Sequence, residues 1–122
     1  MADLDRASLD LLDRTIEVDV RTPRRDGSIS SRPIWVVVVD GVAYVRSYRG
    51  EHGAWYRRAL ADGRVELAVG ETAVSVGVES VHDEELNGRI SDAFRAKYGT
   101  LSPASTDAMV VPDVVATTLR LN

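Results

Sequence analysis

The sequence predicts a single domain of α+β class, mainly β, with about six antiparallel strands and short helices at their ends. Three observations point there. The chain has 122 residues, 44% of them hydrophobic and 28% charged, enough to bury one core. Two hairpin signals, around Asp40-Gly41 and Gly70-Glu71, sit between runs of β-branched residues. One strongly amphipathic helical segment follows them.

Taken in order, Asp3 is placed to cap a short helix reaching about Asp13, with Leu4, Leu11 and Leu12 as its apolar side. Thr15 to Val20 alternates Ile16, Val18 and Val20 with polar residues, the pattern of a half-buried strand. Thr22 to Ser31 carries proline, two arginines, aspartate, glycine and three serines, and reads as a loop. Pro33 to Val39 and Val42 to Tyr48 form a hairpin over Asp40-Gly41, a pair suited to a type I′ turn because both residues tolerate positive φ. Gly53 to Asp62 is a short helix, with Trp55, Tyr56, Ala59 and Leu60 on one side and Arg57 and Arg58 on the other.

Arg64 to Val69 and Thr72 to Glu79 alternate strictly on either side of Gly70-Glu71. Glycine in the first turn position fits type II′, and Val65, Leu67, Val74 and Val76 then share one face. Asp83 to Tyr98 is a helix with Leu86, Ile90, Ala93, Phe94 and Tyr98 in a stripe, and Gly99 ends it. Ser102 to Pro112 is mixed, with one helical turn at most, and Val114 to Leu121 is β-rich. Trp35, Val37, Val39, Val65, Leu67, Val74 and Val76 are the expected core.

Composition excludes several classes. With no cysteine there is no disulfide framework, thiolate metal site or cysteine nucleophile. Met1 to Arg14 holds four aspartates, unlike a signal peptide, and no apolar run is long enough to span a bilayer. The chain is expected to be cytoplasmic, without a membrane partner. The net charge is −4, yet Arg21 to Arg64 holds nine arginines against four acids. A nucleic-acid binder is more often basic overall, so none is expected as partner. The basic segment reads either as an anion site suited to the planar fork of arginine or as a solvated face.

The first hairpin sharpens the anion reading. Continued in register, it sets Ile34 opposite Ser47 and Arg32 opposite Arg49. Two facing arginines repel unless an anion lies between them. Ser47 would offer a hydroxyl one layer in, and the preceding loop adds Arg24 and Arg25, so these residues are candidates for a phosphate cradle. The alternative is that both arginines lie past the last strand pair and point into water. His52 and His82 lack a carboxylate at metal-ligand spacing and are read as structural or surface residues. Asp83-Glu84-Glu85 is a helix start. Ser28, Ser30 and Ser31 are loop serines without a hydrolase elbow.

Thr22 to Arg32 (TPRRDGSISSR), the valine-rich hairpin, Ser47-Tyr48-Arg49-Gly50 and Trp55-Tyr56-Arg57-Arg58-Ala59-Leu60 together resemble the deazaflavin-dependent nitroreductase branch of the flavin-binding split barrels. They look still more like small uncharacterised bacterial proteins attached to that superfamily. That branch has Thr…Gly-Arg-x-Ser-Gly…Arg before a strand, then Ser-x-Gly-Gly before Trp-Tyr-x-Asn-Leu. Thr22, Arg24 or Arg25, Gly27 and Arg32 match the first motif, Ser47 and Gly50 the loop, and Trp55, Tyr56 and Leu60 the helix. Arg49 departs from a glycine, Arg58-Ala59 replace the asparagine, and Gly53-Ala54 stand where a proline is common.

The resemblance implies an antiparallel split β-barrel, usually a homodimer. It implies FMN or the deazaflavin coenzyme as a phosphate-bearing small-molecule ligand. Arg24, Arg25, Arg32, Ser47, Arg49 and Gly50 would hold the phosphate, and Trp55 or Tyr56 would wall the ring. The function implied is that of an oxidoreductase-like protein of unassigned substrate. A non-catalytic module for another small anion, and a dimeric structural protein without ligand, are the alternatives.

Overall fold

Seven strands, β1 (Val18–Pro23), β2 (Ile29–Ile34), β3 (Val36–Val39), β4 (Val42–Val45), β5 (Arg64–Val69), β6 (Thr72–Ser80) and β7 (Leu119–Leu121), form one antiparallel sheet in the order β2-β1-β5-β6-β7-β4-β3. Five helices accompany them: α1 (Arg6–Arg14), α2 (Ala54–Asp62), α3 (Glu84–Tyr98), α4 (Pro103–Met109) and α5 (Pro112–Val115), with a 3-10 turn at Gly50–His52 before α2. The computed structural model describes residues 4–122. The two edge strands, β2 and β3, are consecutive in the chain and separated only by Trp35. The sheet therefore curls until its edges meet without pairing. The result is an α+β split barrel.

Both hairpin registers follow from their turns. Asp40 and Gly41 have φ of 51° and 77°, as a type I′ turn demands, and Val39 pairs with Val42 and Val37 with Tyr44. At the second turn Gly70 alone has positive φ, 57°, and Val69 pairs with Thr72, Leu67 with Val74 and Val65 with Val76. Alternation then sorts side chains to two cores. Val36, Ala43 and Val45 point into the barrel with Val18, Val20, Leu67 and Val76. Val37 and Tyr44 point outward, under Ile90, Phe94 and Tyr98 of α3. Of the expected core, Val37, Val65, Leu67 and Val76 are buried, whereas Trp35, Val39 and Val74 are half-buried.

Several boundaries differ from the sequence reading. The strand expected at Thr15 to Val20 begins at Val18 and runs to Pro23. Ile29 to Ser31, read as loop, and Pro33-Ile34, read into the first hairpin, belong instead to one strand, Ile29–Ile34, paired with β1 throughout. Its sequence, ISSRPI, carries too few apolar residues to announce itself, and β1 supplies the missing order. Because Ile34 pairs with Val18 and Arg32 with Val20, neither faces Ser47 or Arg49 across the first hairpin. That hairpin ends at Val36 and Val45. Asp5 caps α1, accepting from the Ser8 N–H at 2.8 Å; Asp3 lies outside the described residues. Leu60 is exposed, facing away from Trp55, Tyr56 and Ala59. The mixed C-terminal segment forms α4 and α5, each begun by a proline, the residue that a first helical turn tolerates.

Helix α3 closes the free edge of β3. Its N-terminus is capped by Asp83, whose carboxylate accepts from the Leu86 N–H at 2.8 Å. In a hairpin closed by a two-residue turn, Val36 falls in a pair whose backbone groups point away from β4. Tyr98 takes the Val36 N–H at 3.2 Å and donates its own hydroxyl to Ile16 O at 2.7 Å. Lys97 Nζ donates to Val36 O at 2.7 Å and to Leu12 O, at the end of α1, at 2.9 Å. Burial pushes the Tyr98 phenol up to about 12 and pulls the Lys97 ammonium down. Trp35 stacks on Tyr98 with ring centroids 4.0 Å apart and planes within 2°. The bend between β2 and β3 is held by these contacts.

Candidate functional site

The split between the barrel edges opens into a cavity of about 550 Å³, within the usual range for small-molecule sites. Strand β2 contributes Ser30, Arg32 and Ile34 from one face, as its period of two requires. Trp35 follows at the bend. The loop after β4 contributes Arg46, Ser47, Tyr48 and Arg49; α2 and its cap contribute Gly53, Trp55 and Arg58. Arg24 and Glu17 complete the wall from either end of β1.

Five residues singled out in the sequence meet here: Arg24, Arg32, Ser47, Arg49 and Trp55. The facing-pair argument that joined Arg32 to Arg49 fails, yet curling of the sheet brings both to one cavity from different elements. Arg25, Gly50 and Tyr56 do not line it. Gly50, at φ 64°, shapes the turn, and Tyr56 packs edge-on against Trp55, ring centroids 6.3 Å apart.

The arginines divide by their partners. Arg46 is 1% exposed, and all five of its N–H groups are spent within the chain. Nε donates to Thr118 Oγ1 at 2.9 Å, Nη1 to Ser91 Oγ at 2.9 Å and Met109 O at 3.0 Å, and Nη2 to Asn87 O at 3.1 Å and Oδ1 at 3.4 Å. Its guanidinium carbon lies 5.2 Å from the centre of the Phe94 ring. Burial, with Arg95 nearby, pulls its pKa down to about 10, so it stays charged at neutral pH. Arg24 holds its own turn, donating to Ser28 Oγ at 3.2 Å and Ile29 O at 3.3 Å. Arg58 donates to Thr22 Oγ1 at 3.3 Å. Among the described residues the side chains of Arg32 and Arg49 make no hydrogen bond, and none of Arg24, Arg32, Arg49 and Arg58 has a carboxylate partner.

Ser47 is not the free hydroxyl that the sequence implied. It is buried, receives nothing from the cavity side, and donates to Gly50 O at 2.8 Å while its N–H bonds Thr117 Oγ1 at 2.9 Å. It builds the turn that leads into α2. Ser30, by contrast, is 2% exposed and has no side-chain partner among the described residues. Trp35, Arg46 and Arg58 were also absent from the sequence-derived set. The alternation Ser30, Arg32, Ile34 would have found Ser30, had the segment been read as a strand.

A family of uncharacterized proteins conserved in bacteria, DUF2255, matches residues 8–121. The chain belongs to this family. No curated protein matches it. Solved structures share its fold at low identity. An F420-H2 dependent reductase, FDR-A, is 15% identical with a TM-score of 0.60, covering 100% of this chain and 99% of that one. HutZ, the heme storage protein from Vibrio cholerae, is 11% identical with a TM-score of 0.66, covering 99% of this chain and 90% of that one. An FAD-binding protein from Mesorhizobium loti is 19% identical with a TM-score of 0.53, covering 97% of this chain and 87% of that one. These likenesses show the fold, an α+β split barrel. No described helix is long and apolar enough to cross a membrane.

Proposed function

We infer that the cavity binds a flavin-type cofactor, FMN or the deazaflavin coenzyme, and that the chain is an oxidoreductase-like protein. One observation carries this reading: four arginines without carboxylate partners share a cavity with two indoles, Trp35 and Trp55. Arginine forks suit a phosphate, and an indole face suits a planar ring. Arg24, Arg32, Arg49 and Arg58 would hold the phosphate end, with Arg25 beside them in the same turn. Trp55, braced by Tyr56, would wall the ring, and Gly50 and Ser47 would set the turn between. A bound flavin or deazaflavin supplies hydride chemistry; the protein's part is to orient the ring and exclude water. Neither His52 nor His82 lines the cavity, so a haem would find no imidazole there.

A non-catalytic module for a small anion is the second reading. It draws on the cavity's lack of an acid or base other than Glu17, Tyr48 and the arginines. Titration of the protein with FMN, FAD and the deazaflavin coenzyme, followed by cofactor fluorescence, separates the two. The cofactor reading expects saturable binding of one of them; binding of none, with inorganic phosphate still raising the melting temperature, leaves the anion module.

The protein is further proposed to act as a homodimer. Ile16, Tyr48 and Leu101 are 51%, 60% and 63% exposed, and Tyr48 lines the cavity, so a second copy would cover apolar surface at the site's rim. Light scattering at micromolar concentration should give twice the chain mass. A monomer mass would remove this proposal.

A further inference from the structure

The residues around Ser30 form a corner of the cavity that no sequence motif announces. Ser30 and Thr22 are direct partners across β1 and β2. Both are buried, at 2% and 1% exposure. Partners of this kind hold their side chains about 5 Å apart. Thr22 Oγ1 accepts from Arg58 Nη1 at 3.3 Å, which brings the Arg58 guanidinium to the neighbour of Ser30 and leaves its other N–H groups unassigned. Arg32 stands two residues from Ser30 on the same face of β2, without a partner. The Ser30 hydroxyl has no partner among the described residues and lines the cavity, where it is open to solvent and free to donate to a ligand.

The first turn of α2 lies on the same cavity wall. Its N-cap is Gly53, and no side chain caps the helix. A capping serine or aspartate has no room there, because a Cβ at position 53 would collide with Ser47 Oγ. The leading N–H groups of a nine-residue helix therefore stay uncapped beside a cavity lined by Gly53, Ala54 and Trp55. Among the described residues the one acid on the wall is Glu17, which lies near Tyr98 and the aromatic end.

We propose that Ser30, Arg32 and Arg58, with the uncapped start of α2, form the subsite that takes a phosphate or like oxyanion. The subsite rests on the cofactor reading for the ligand's identity, and departs from the sequence-derived cradle by replacing Ser47 with Ser30 and adding Arg58. Ser30 donates one hydrogen bond to an anion oxygen, Arg32 and Arg58 supply charge from two sides, and the helix terminus supplies aligned N–H groups. Thr22 fixes Arg58 and does not itself touch the anion.

The test uses FMN and riboflavin, which differ only in the phosphate, with inorganic phosphate as a third probe. Wild type should bind FMN at least about tenfold more tightly than riboflavin. Ser30→Ala should weaken FMN about tenfold, and Arg58→Gln by about tenfold or more, while neither changes riboflavin affinity. Arg64→Ala, outside the cavity, should change nothing. If both variants bind FMN as wild type does, the anion lies elsewhere and the subsite is overturned while the cofactor reading stands. An equal loss for FMN and riboflavin overturns it too, since the residues then shape the ring site. If wild type binds neither flavin, but phosphate raises its melting temperature and Ser30→Ala or Arg58→Gln abolishes that gain, the subsite stands and the FMN reading falls. No response to any of the three probes removes the subsite and the FMN reading together.

Discussion

Arg46→Met should destabilise the protein by about 3–5 kcal/mol, lowering the melting temperature by roughly 10–20 °C. The reason lies in what the guanidinium joins. It gathers Asn87 and Ser91 of α3, the last carbonyl of α4 at Met109, and Thr118 before β7, all from one residue past the end of β4. Among the described residues no carboxylate pairs with it, and its charge is met by hydrogen bonds and the Phe94 ring. Removing it leaves the Met109 and Asn87 carbonyls buried without that donor, and each such loss costs about 1–3 kcal/mol. Arg46→Lys should fall between, because one ammonium cannot reach acceptors spread around a planar fork. Thermal unfolding of the three proteins decides it. A Met variant as stable as wild type would mean that desolvation of the guanidinium cancels its bonds.

Gly53→Ala should cost about 1–3 kcal/mol by overpacking, and Ser47→Ala should relieve it. The alanine methyl would collide with Ser47 Oγ, which is held in place by its bond to Gly50 O at 2.8 Å. Ser47→Ala alone loses that bond, worth about 1 kcal/mol. In the double variant the clash is gone, so its loss should be smaller than the sum of the single losses by about 1 kcal/mol. Denaturant unfolding of the four proteins measures this. Additive losses would show that the turn adjusts without Ser47.

Legibility followed the range of the interactions involved. The turns and registers at Asp40-Gly41 and Gly70-Glu71 were readable to the residue, because turn type and alternation are both local, although the first hairpin is shorter than its apolar run suggested. Helix α3 was readable for the same reason, as its stripe and its Asp83 cap lie within one segment. Strand β2 was not, since ISSRPI carries turn-forming residues and two isoleucines, and only pairing with β1 makes it extended. The site fared likewise. Arg24, Arg32, Arg49 and Trp55 could be named from type and neighbourhood. Ser30 could not, because its place in the cavity depends on a strand that was missed, and Arg58 read as the solvent side of a helix.

By itself, then, the sequence determined that this protein is an antiparallel β domain with two tight hairpins and an arginine-rich segment capable of meeting an anion. Only the tertiary structure decided which of those arginines share a cavity. The chain switches edges at Trp35, which separates Arg32 from the hairpin it was read into and pairs it with Val20 instead. Arg46, one residue past β4 on the face toward α3, is enclosed there and spent on structure. Arg32, Arg49 and Arg58 come from three separate elements and meet only because the sheet curls. Alternation along one strand is set by neighbouring residues, whereas enclosure is set by what packs on top of them, and that information is spread over the whole chain.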